Sequence, residues 1–268
     1  MNPIPESIEQ WFADCPRALT AFSGGVDSSL VAWLAHHFLG AEKHQAVISA
    51  SPSLKLSDLD QAKDFARENG ISLQIIETKE MLNPDYVLNP VNRCFFCKQT
   101  LYQELEALAS ELSPCWILNG TNVDDLGDYR PGLQAAQNFE VRSPLSECGL
   151  NKHDIRELAE ALDLTCWNKP AAPCLSSRIP YGQRVTLPKL RRIEQAEAWL
   201  HTQGFDICRV RHEEPITARI EVDADRVDEL KNLKSSIQEA FTNMGFTEII
   251  LDPEGFVSGK LNRVLKKS

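Results

Sequence analysis

The sequence has no apolar run close to the ~20 residues that a membrane helix needs, and it has no low-complexity tract or internal repeat. Its first residues, Met1–Glu6, carry no basic and apolar signal segment. It also has no excess of basic residues, since the formal net charge is -10. Phosphate backbones are bound by basic surfaces, so this charge disfavours a large nucleic-acid interface. We therefore expect a cytoplasmic protein with no membrane partner, for which nucleic acid is a disfavoured ligand.

The order of apolar segments predicts the fold class. Before about residue 165, short strand-like segments alternate with segments of helical period, which is typical of an α/β domain with a parallel, doubly wound sheet. After Pro180 the pattern changes to a long amphipathic helix, two strands around Pro215, a helix over 226–243 and a final strand. This order predicts a smaller C-terminal α+β domain with an antiparallel sheet. We place the domains at 1–180 and 181–268, and expect the second to contribute to the substrate site and to homo-oligomerisation.

A glycine- and serine-rich loop stands between the first strand-like segment and the helix after it. Its residues are Ser23, Gly24, Gly25, Val26, Asp27, Ser28 and Ser29. The glycines allow backbone N–H groups to approach an anion, and the serines at the start of the helix offer hydroxyl and N–H donors to phosphate. The aspartate would repel phosphate by itself, so we expect it to hold Mg²⁺. No G-K-[ST] follows, which distinguishes this loop from a Walker A motif.

A second polar segment, Gly120–Asp125, follows the strand-like residues 116–118. Ligands bind at the carboxyl ends of parallel strands, so we expect Gly120, Asn122 and Asp125 to lie at the nucleotide. The nearby carboxylates suit Mg²⁺ beside a phosphate group, although Asn, Asp and Gly are also common turn residues.

Three of the eight cysteines form a chemically suggestive pattern. Cys94 and Cys97 make a C-x-x-C pair, which by itself fits a zinc half-site, a redox pair or iron–sulfur ligands. Cys174 precedes Arg178 and Arg184, whose charges favour a nucleophilic thiolate. Three thiolates with one open position suit a [4Fe–4S] cluster. The alternative is that all three are free thiols, and the other five cysteines are expected to be small buried residues.

The loop Ser23–Ser29 resembles the PP-loop of the ATP pyrophosphatases, which cleave ATP between the α- and β-phosphates. A wider set of segments resembles the LarE family of ATP-dependent sulfur transferases, and the resemblance spans nearly the whole chain. Besides the loop and Cys174, the segments are Asn92–Lys98, Gly120–Asn122, Arg130–Gly132, Arg142–Leu145 and Arg209–His212.

The resemblance implies an activity and its reactants. Members of the family adenylate a carboxylate of pyridinium-3,5-biscarboxylate mononucleotide with ATP and Mg²⁺ and convert it to a thiocarboxylate, a step in building the nickel-pincer cofactor. Some members sacrifice one cysteine, matched by Cys174, whereas others hold a [4Fe–4S] cluster on three cysteines and need a sulfide donor. Cys94 and Cys97 favour the cluster type, with Cys94, Cys97 and Cys174 as ligands and Cys174, Asp27 and Arg178 as catalytic residues.

The family also uses arginines near its phosphate-binding site, matched here by Arg209 and Arg211. Residues two apart on a strand share a face, so both guanidinium groups would reach one phosphate; a solvated strand face is the alternative. Two other functions stay open. A PP-loop tRNA thiolase would carry bound RNA, and a non-catalytic nucleotide-binding regulator would release no pyrophosphate.

Overall fold

The structure is a computed structural model that describes residues 3–127 and 131–266, with side chains to residue 263. Its strands are β1 Ala18–Ala21, β2 His44–Ser49, β3 Leu73–Ile76, β4 Trp116–Leu118, β5 Cys208–Glu213, β6 Thr217–Val222 and β7 Glu248–Leu251. Its α-helices are α1 Glu6–Ala13, α2 Val26–Leu39, α3 Leu56–Glu68, α4 Pro84–Val87, α5 Arg93–Glu111, α6 Pro131–Asn138, α7 Pro144–Glu147, α8 Lys152–Ala161, α9 Leu187–Thr202, α10 Val227–Asn232 and α11 Lys234–Asn243. Short 3-10 helices cover Glu80–Leu82, Val123–Gly127, Leu175–Arg178, Ala224–Arg226 and Lys260–Lys266.

The chain forms two compact units. The first consists of Met1–Asn83 and Asn92–Ala172, and the second consists of Pro84–Val91 and Pro173–Ser268. This division differs from the predicted one at residue 180, because the second unit begins earlier and also includes a short segment from the first half of the chain.

The first unit contains a four-stranded parallel sheet in the order β3-β2-β1-β4. Alternate residues of β1 enter different hydrophobic clusters: Ala18 packs with residues of α2 and α8, whereas Leu19 and Ala21 pack with residues of α5 and α6. Helices therefore cover both faces of the sheet, as a buried parallel sheet requires. The predicted α/β class with a doubly wound parallel sheet is confirmed.

Two helices of the first unit begin earlier than their sequence pattern predicts. The apolar pattern predicts a helix over 30–39, whereas α2 begins at Val26, with Gly25 as its N-cap residue. It ends at Leu39, and Gly40, whose φ is 76°, is its C-cap residue. The apolar pattern also predicts a helix that begins near residue 99, whereas α5 begins at Arg93. Asp27, Ser28 and Ser29 consequently lie in the first turn of α2, and Cys94 and Cys97 lie near the start of α5.

The second unit contains the three-stranded sheet β5-β6-β7. Strands β5 and β6 are antiparallel, but β6 and β7 are parallel, so the prediction of a wholly antiparallel sheet is wrong. Helices α10 and α11 form the crossover that a parallel neighbour needs. They replace the single predicted helix over 226–243, and their apolar residues cover one face of the sheet with α9.

Within the described ranges, no helix combines the length and apolar character needed to cross a membrane.

Candidate nucleotide-binding site

The loops after β1 and β4 meet where the strand order of the first sheet reverses. Strand β1 is followed along the chain by β2 on one side, and its other neighbour is β4. Such a switch point at the carboxyl ends of parallel strands is where doubly wound folds bind ligands. The two predicted nucleotide-binding segments therefore lie at the binding edge of the sheet.

The phosphate loop closes on itself through its serines and requires its first glycine. Gly24 has a φ of 71°, and a Cβ at this position would lie 3.0 Å from Cβ of Ala62 on α3. The hydroxyl of Ser28 accepts the backbone N–H of Ser23 at 3.2 Å and donates to the carbonyl of Gly25 at 3.1 Å. These bonds hold the loop as a compact turn at the positive end of α2, which favours an anion.

Ser29 points away from this turn. It is fully buried, its hydroxyl lies beside the thiol of Cys166, and its backbone N–H donates to the carbonyl of Gly25 at 2.9 Å. Its predicted part in nucleotide binding stays a prediction.

The loop after β4 lies directly against the phosphate loop. A Cβ on Gly120 would be 2.6 Å from the backbone nitrogen of Ser28 and 3.0 Å from Cβ of Asp27. The Oδ1 atom of Asn119 accepts the backbone N–H of Thr121 at 3.0 Å and the hydroxyl of Ser143 at 2.8 Å. Only a residue without a side chain fits at this crossing, which explains the glycine.

Two carboxylates and one amide meet at this crossing. The Nδ2 group of Asn122 donates to Oδ1 of Asp27 at 3.3 Å, and the N–H of Asp125 donates to Oδ1 of Asn122 at 3.2 Å. Burial raises the pKa of Asp27, and the negative charge of Asp125 raises it further. A divalent cation would relieve this repulsion, and Mg²⁺ in phosphate sites is held by one or two carboxylates. The residues fit Mg²⁺, and Lys152 lies 3.3 Å from Oδ1 of Asp125.

Lys169 lies at the phosphate loop, although no motif in the sequence around it predicts this position. The Nζ atom of Lys169 donates to the carbonyl of Gly24 at 3.2 Å and lies 3.2 Å from Oδ1 of Asp58 on α3. It is separated from Gly24 by 145 residues, so only the tertiary fold brings it there.

The C-x-x-C pair lies near the start of α5, and residues three apart share a helix face. Cys94 is exposed and Cys97 is half-buried. Among the side chains that the structure describes, no group of three or more Cys, His, Asp or Glu residues is gathered to hold a metal ion. The pair by itself would fit two ligands of a cluster. In contrast, burial raises the pKa of four other thiols, those of Cys15, Cys115, Cys148 and Cys166.

In the second unit, Arg178 shapes the loop that carries Cys174. Cys174 is half-buried and precedes the 3-10 helix Leu175–Arg178. The fully buried guanidinium of Arg178 pairs with Glu197 at 2.8 Å and donates to the carbonyls of Pro173 and Cys174, the latter at 3.0 Å. These contacts favour a role in fixing the loop over direct contact with substrate.

Arg209 and Arg211 lie on the more exposed side of β5, as predicted from their spacing, but their surroundings differ. Arg211 makes a forked ion pair with Glu221, at 2.8 Å, and donates to the carbonyl of Ser177. Arg209 stacks on Phe256 at 5.0 Å, and burial lowers its pKa, as does the charge of Arg178. An anion would therefore stabilise the charge of Arg209 more than that of Arg211.

Arg142, which belongs to one of the segments that resemble the family, makes contacts typical of a structural residue. Arg142 lies over the rings of Trp11 and Trp116 and pairs with Glu147 at 2.6 Å. A further motif residue, Arg130, lies outside the described residues.

A doubly wound parallel sheet with this loop at its switch point defines the PP-loop class of ATP-using enzymes. Residues 11–85 match the NAD synthase family. The pyridinium-3,5-bisthiocarboxylic acid mononucleotide synthase of Lactiplantibacillus plantarum is 35% identical over 95% of this chain and 92% of its own length. An uncharacterized protein of Synechocystis sp. is 44% identical over 98% of each chain. A component of the glutamine-hydrolyzing GMP synthase of Thermococcus kodakarensis is 28% identical over 55% of this chain and 51% of its own. The chain belongs to the family of the Lactiplantibacillus synthase, the LarE family.

Proposed function

We propose that this protein is an ATP-dependent sulfur transferase that adenylates a carboxylate of pyridinium-3,5-biscarboxylate mononucleotide and converts it to a thiocarboxylate in nickel-pincer cofactor synthesis. The observation that carries the proposal is the 35% identity to the pyridinium-3,5-bisthiocarboxylic acid mononucleotide synthase, which extends over 95% of the chain. The phosphate loop and the paired carboxylates at the switch point give this similarity a chemical basis.

The residues of the first unit suit the adenylation half of the reaction. A substrate carboxylate oxygen forms a bond to the α-phosphorus of ATP, and the bond between that phosphorus and the bridging oxygen to the β-phosphate breaks. The phosphate loop would bind the departing pyrophosphate, while Asp27 and Asp125 would hold Mg²⁺ with Asn122 orienting Asp27. Bound Mg²⁺ would neutralise charge that develops on the phosphate oxygens.

Adenylation makes the second half of the reaction possible. A carboxylate is a poor acyl donor until its oxygen becomes part of a good leaving group, and AMP is one. Sulfur then replaces AMP at the acyl carbon. Of the two β5 arginines, Arg209 is the stronger candidate to bind an anionic substrate. Burial and the charge of Arg178 make its own charge unfavourable, and an anion would offset both effects.

For the sulfur source we expect a [4Fe–4S] cluster on Cys94, Cys97 and Cys174. Residue chemistry and the family resemblance support this assignment: thiolates are the ligands that such clusters prefer, and these three cysteines are exposed or half-buried. The alternative within the same function is that Cys174 gives up its own sulfur.

The test is a product analysis of protein incubated with ATP, Mg²⁺ and the biscarboxylate mononucleotide, with sulfide under anaerobic conditions. The expected products are AMP, pyrophosphate and a thiocarboxylate whose mass exceeds that of the substrate by the difference between sulfur and oxygen. Formation of ADP and inorganic phosphate would contradict the proposal. AMP and pyrophosphate formed only with a tRNA acceptor would point to the thiolase alternative.

A further inference from the structure

The phosphate loop lacks a cation of its own. In a Walker A loop a lysine within the motif reaches the β- and γ-phosphates, whereas Ser23–Ser29 holds an aspartate and no basic residue. The paired carboxylates Asp27 and Asp125 add negative charge beside it. Besides any bound Mg²⁺, a triphosphate approaching this edge of the sheet therefore needs positive charge from a residue outside the loop.

Lys169 is held at the loop by a supported backbone. The guanidinium of Arg156 donates to the carbonyls of Trp167 and Lys169, each at 2.8 Å, and the N–H of Lys169 donates to the carbonyl of Cys166. With the main chain fixed in this way, the lysine side chain extends to the carbonyl of Gly24 and to Asp58. The ammonium group of Lys169 is therefore hydrogen-bonded directly to the backbone of the phosphate loop.

The two lysines near the site, Lys169 and Lys152, differ in how far their side chains are exposed to solvent. The side chain of Lys169 is 18% exposed and that of its partner Asp58 is 14% exposed, whereas Lys152 beside Asp125 is 49% exposed. A charge shielded from water acts more strongly on a neighbouring phosphate than one surrounded by solvent. Lys169 is therefore the stronger candidate to meet the triphosphate.

We propose that Lys169 supplies the cation that the phosphate loop lacks, and that its ammonium group moves from Gly24 and Asp58 to the β- and γ-phosphates when ATP binds. The lysine side chain is a flexible four-carbon stem, so the ammonium can change partners while the backbone stays in place. Before ATP binds, Asp58 and the Gly24 carbonyl satisfy the charge. This inference rests on the proposed ATP chemistry of the site, but it concerns phosphate binding alone.

The test compares Lys169→Met with Lys63→Met, a matched control, because Lys63 lies on the same helix as Asp58 and pairs with the exposed Asp60. Dissociation constants are measured separately for ATP, pyrophosphate and AMP. Loss of a charge-assisted hydrogen bond predicts about 10- to 100-fold weaker binding of ATP and pyrophosphate to Lys169→Met, with AMP binding within about twofold of the wild type. The control should match the wild type for all three ligands.

Equal weakening of all three ligands would overturn the inference, because a lysine that only braces the loop would affect AMP as well. If Lys169→Met fails to fold, Asp58→Asn decides the question, because it removes the competing carboxylate and keeps an oxygen acceptor. ATP should then bind a few-fold more tightly, and weaker binding would contradict the exchange. Wild-type protein that binds no ATP would instead contradict the proposed function itself.

Discussion

Gly120 lies so close to Ser28 that a Cβ on the glycine would stand 2.6 Å from the serine's backbone nitrogen. The obstructing atoms belong to the main chain, so they cannot turn aside as a flexible side chain would. We predict that Gly120→Ala separates the two loops and weakens ATP binding at least tenfold. Calorimetric titration with ATP measures the effect, and Gly127→Ala is the control, since nothing lies within 4 Å of the Cβ position there. Equal affinities in the two variants would refute the requirement for close approach.

Asp27→Asn should remove ATP cleavage and yet stabilise the fold at neutral pH. Burial and Asp125 raise the pKa of Asp27, so the folded protein holds this proton more tightly than the unfolded chain does. The free energy of unfolding therefore falls as pH rises from about 3.9, the unfolded value, through the raised folded value. The free energy of unfolding of Asp27→Asn does not fall in this way, because asparagine does not ionise. The asparagine side chain can still accept the hydrogen bond from Asn122.

Thermal unfolding of the two proteins from pH 3 to pH 8 checks this prediction. The melting temperature of Asp27→Asn should exceed that of the wild type at pH 7, and the difference should disappear near pH 3, where the aspartate is protonated in both states. A variant that is less stable at every pH would show that the carboxylate stabilises the site.

Arg211→Ala should destabilise the protein more than a surface substitution would. It leaves Glu221, whose side chain is 2% exposed, with Lys260 at 3.6 Å as an ion-pair neighbour. Removing one partner of a buried ion pair costs about 3 kcal/mol of folding stability. The control is Arg219→Ala, which breaks the more exposed pair with Glu213 and should cost at most about 1 kcal/mol. Urea denaturation of both variants measures the difference. Similar losses in the two would show that burial of Glu221 is unimportant.

Arg209→Ala should act on substrate binding. Because an anion would relieve the burial and repulsion that lower its pKa, we expect KM for the mononucleotide to rise about tenfold, with ATP affinity unchanged. Steady-state kinetics with varied mononucleotide and saturating ATP measures this, with Arg219→Ala again as the control. Unchanged kinetic constants would restrict Arg209 to a structural role.

The assignment of three cysteines to one cluster predicts that replacing any one of them has the same effect. If Cys94, Cys97 and Cys174 hold one cluster, changing any one to Ala should abolish the iron-dependent absorbance of anaerobically reconstituted protein and its repeated turnovers. Cys148→Ala, at a thiol that donates to the carbonyl of Ser7, should retain both. A colourless wild type in which Cys174 becomes dehydroalanine after a single turnover, with its sulfur in the thiocarboxylate product, would establish the sacrificial route instead. Mass spectrometry would detect this change as the loss of the elements of H₂S from Cys174.

Local patterns were enough to predict the first unit's fold and its phosphate loop. The loop is a continuous segment between a strand and a helix, and its own backbone favours glycine at position 24, where φ is 71°. The parallel sheet follows from the alternation of strands and helices. Both patterns can be recognised without knowing which distant residues lie nearby.

The rest depended on distant partners. Lys169 reaches Gly24 from 145 residues away, and no spacing rule connects them. The spacing of Arg209 and Arg211 predicted their common face but not that Glu221, on the next strand, would pair with one of them. The predicted direction of β7 was wrong, although the helix predicted between β6 and β7 is itself the kind of crossover that joins parallel strands.

The segment Pro84–Val91 has a consequence for how the polypeptide is made. Asn89 donates to the carbonyls of Ile179, Pro180 and Gln183, so its partners follow it by 90 residues or more. At about 5–20 residues per second, a ribosome delivers those partners roughly 5–18 seconds later. During synthesis this segment must wait without its hydrogen-bonding partners, and the second unit cannot be expressed as one uninterrupted fragment.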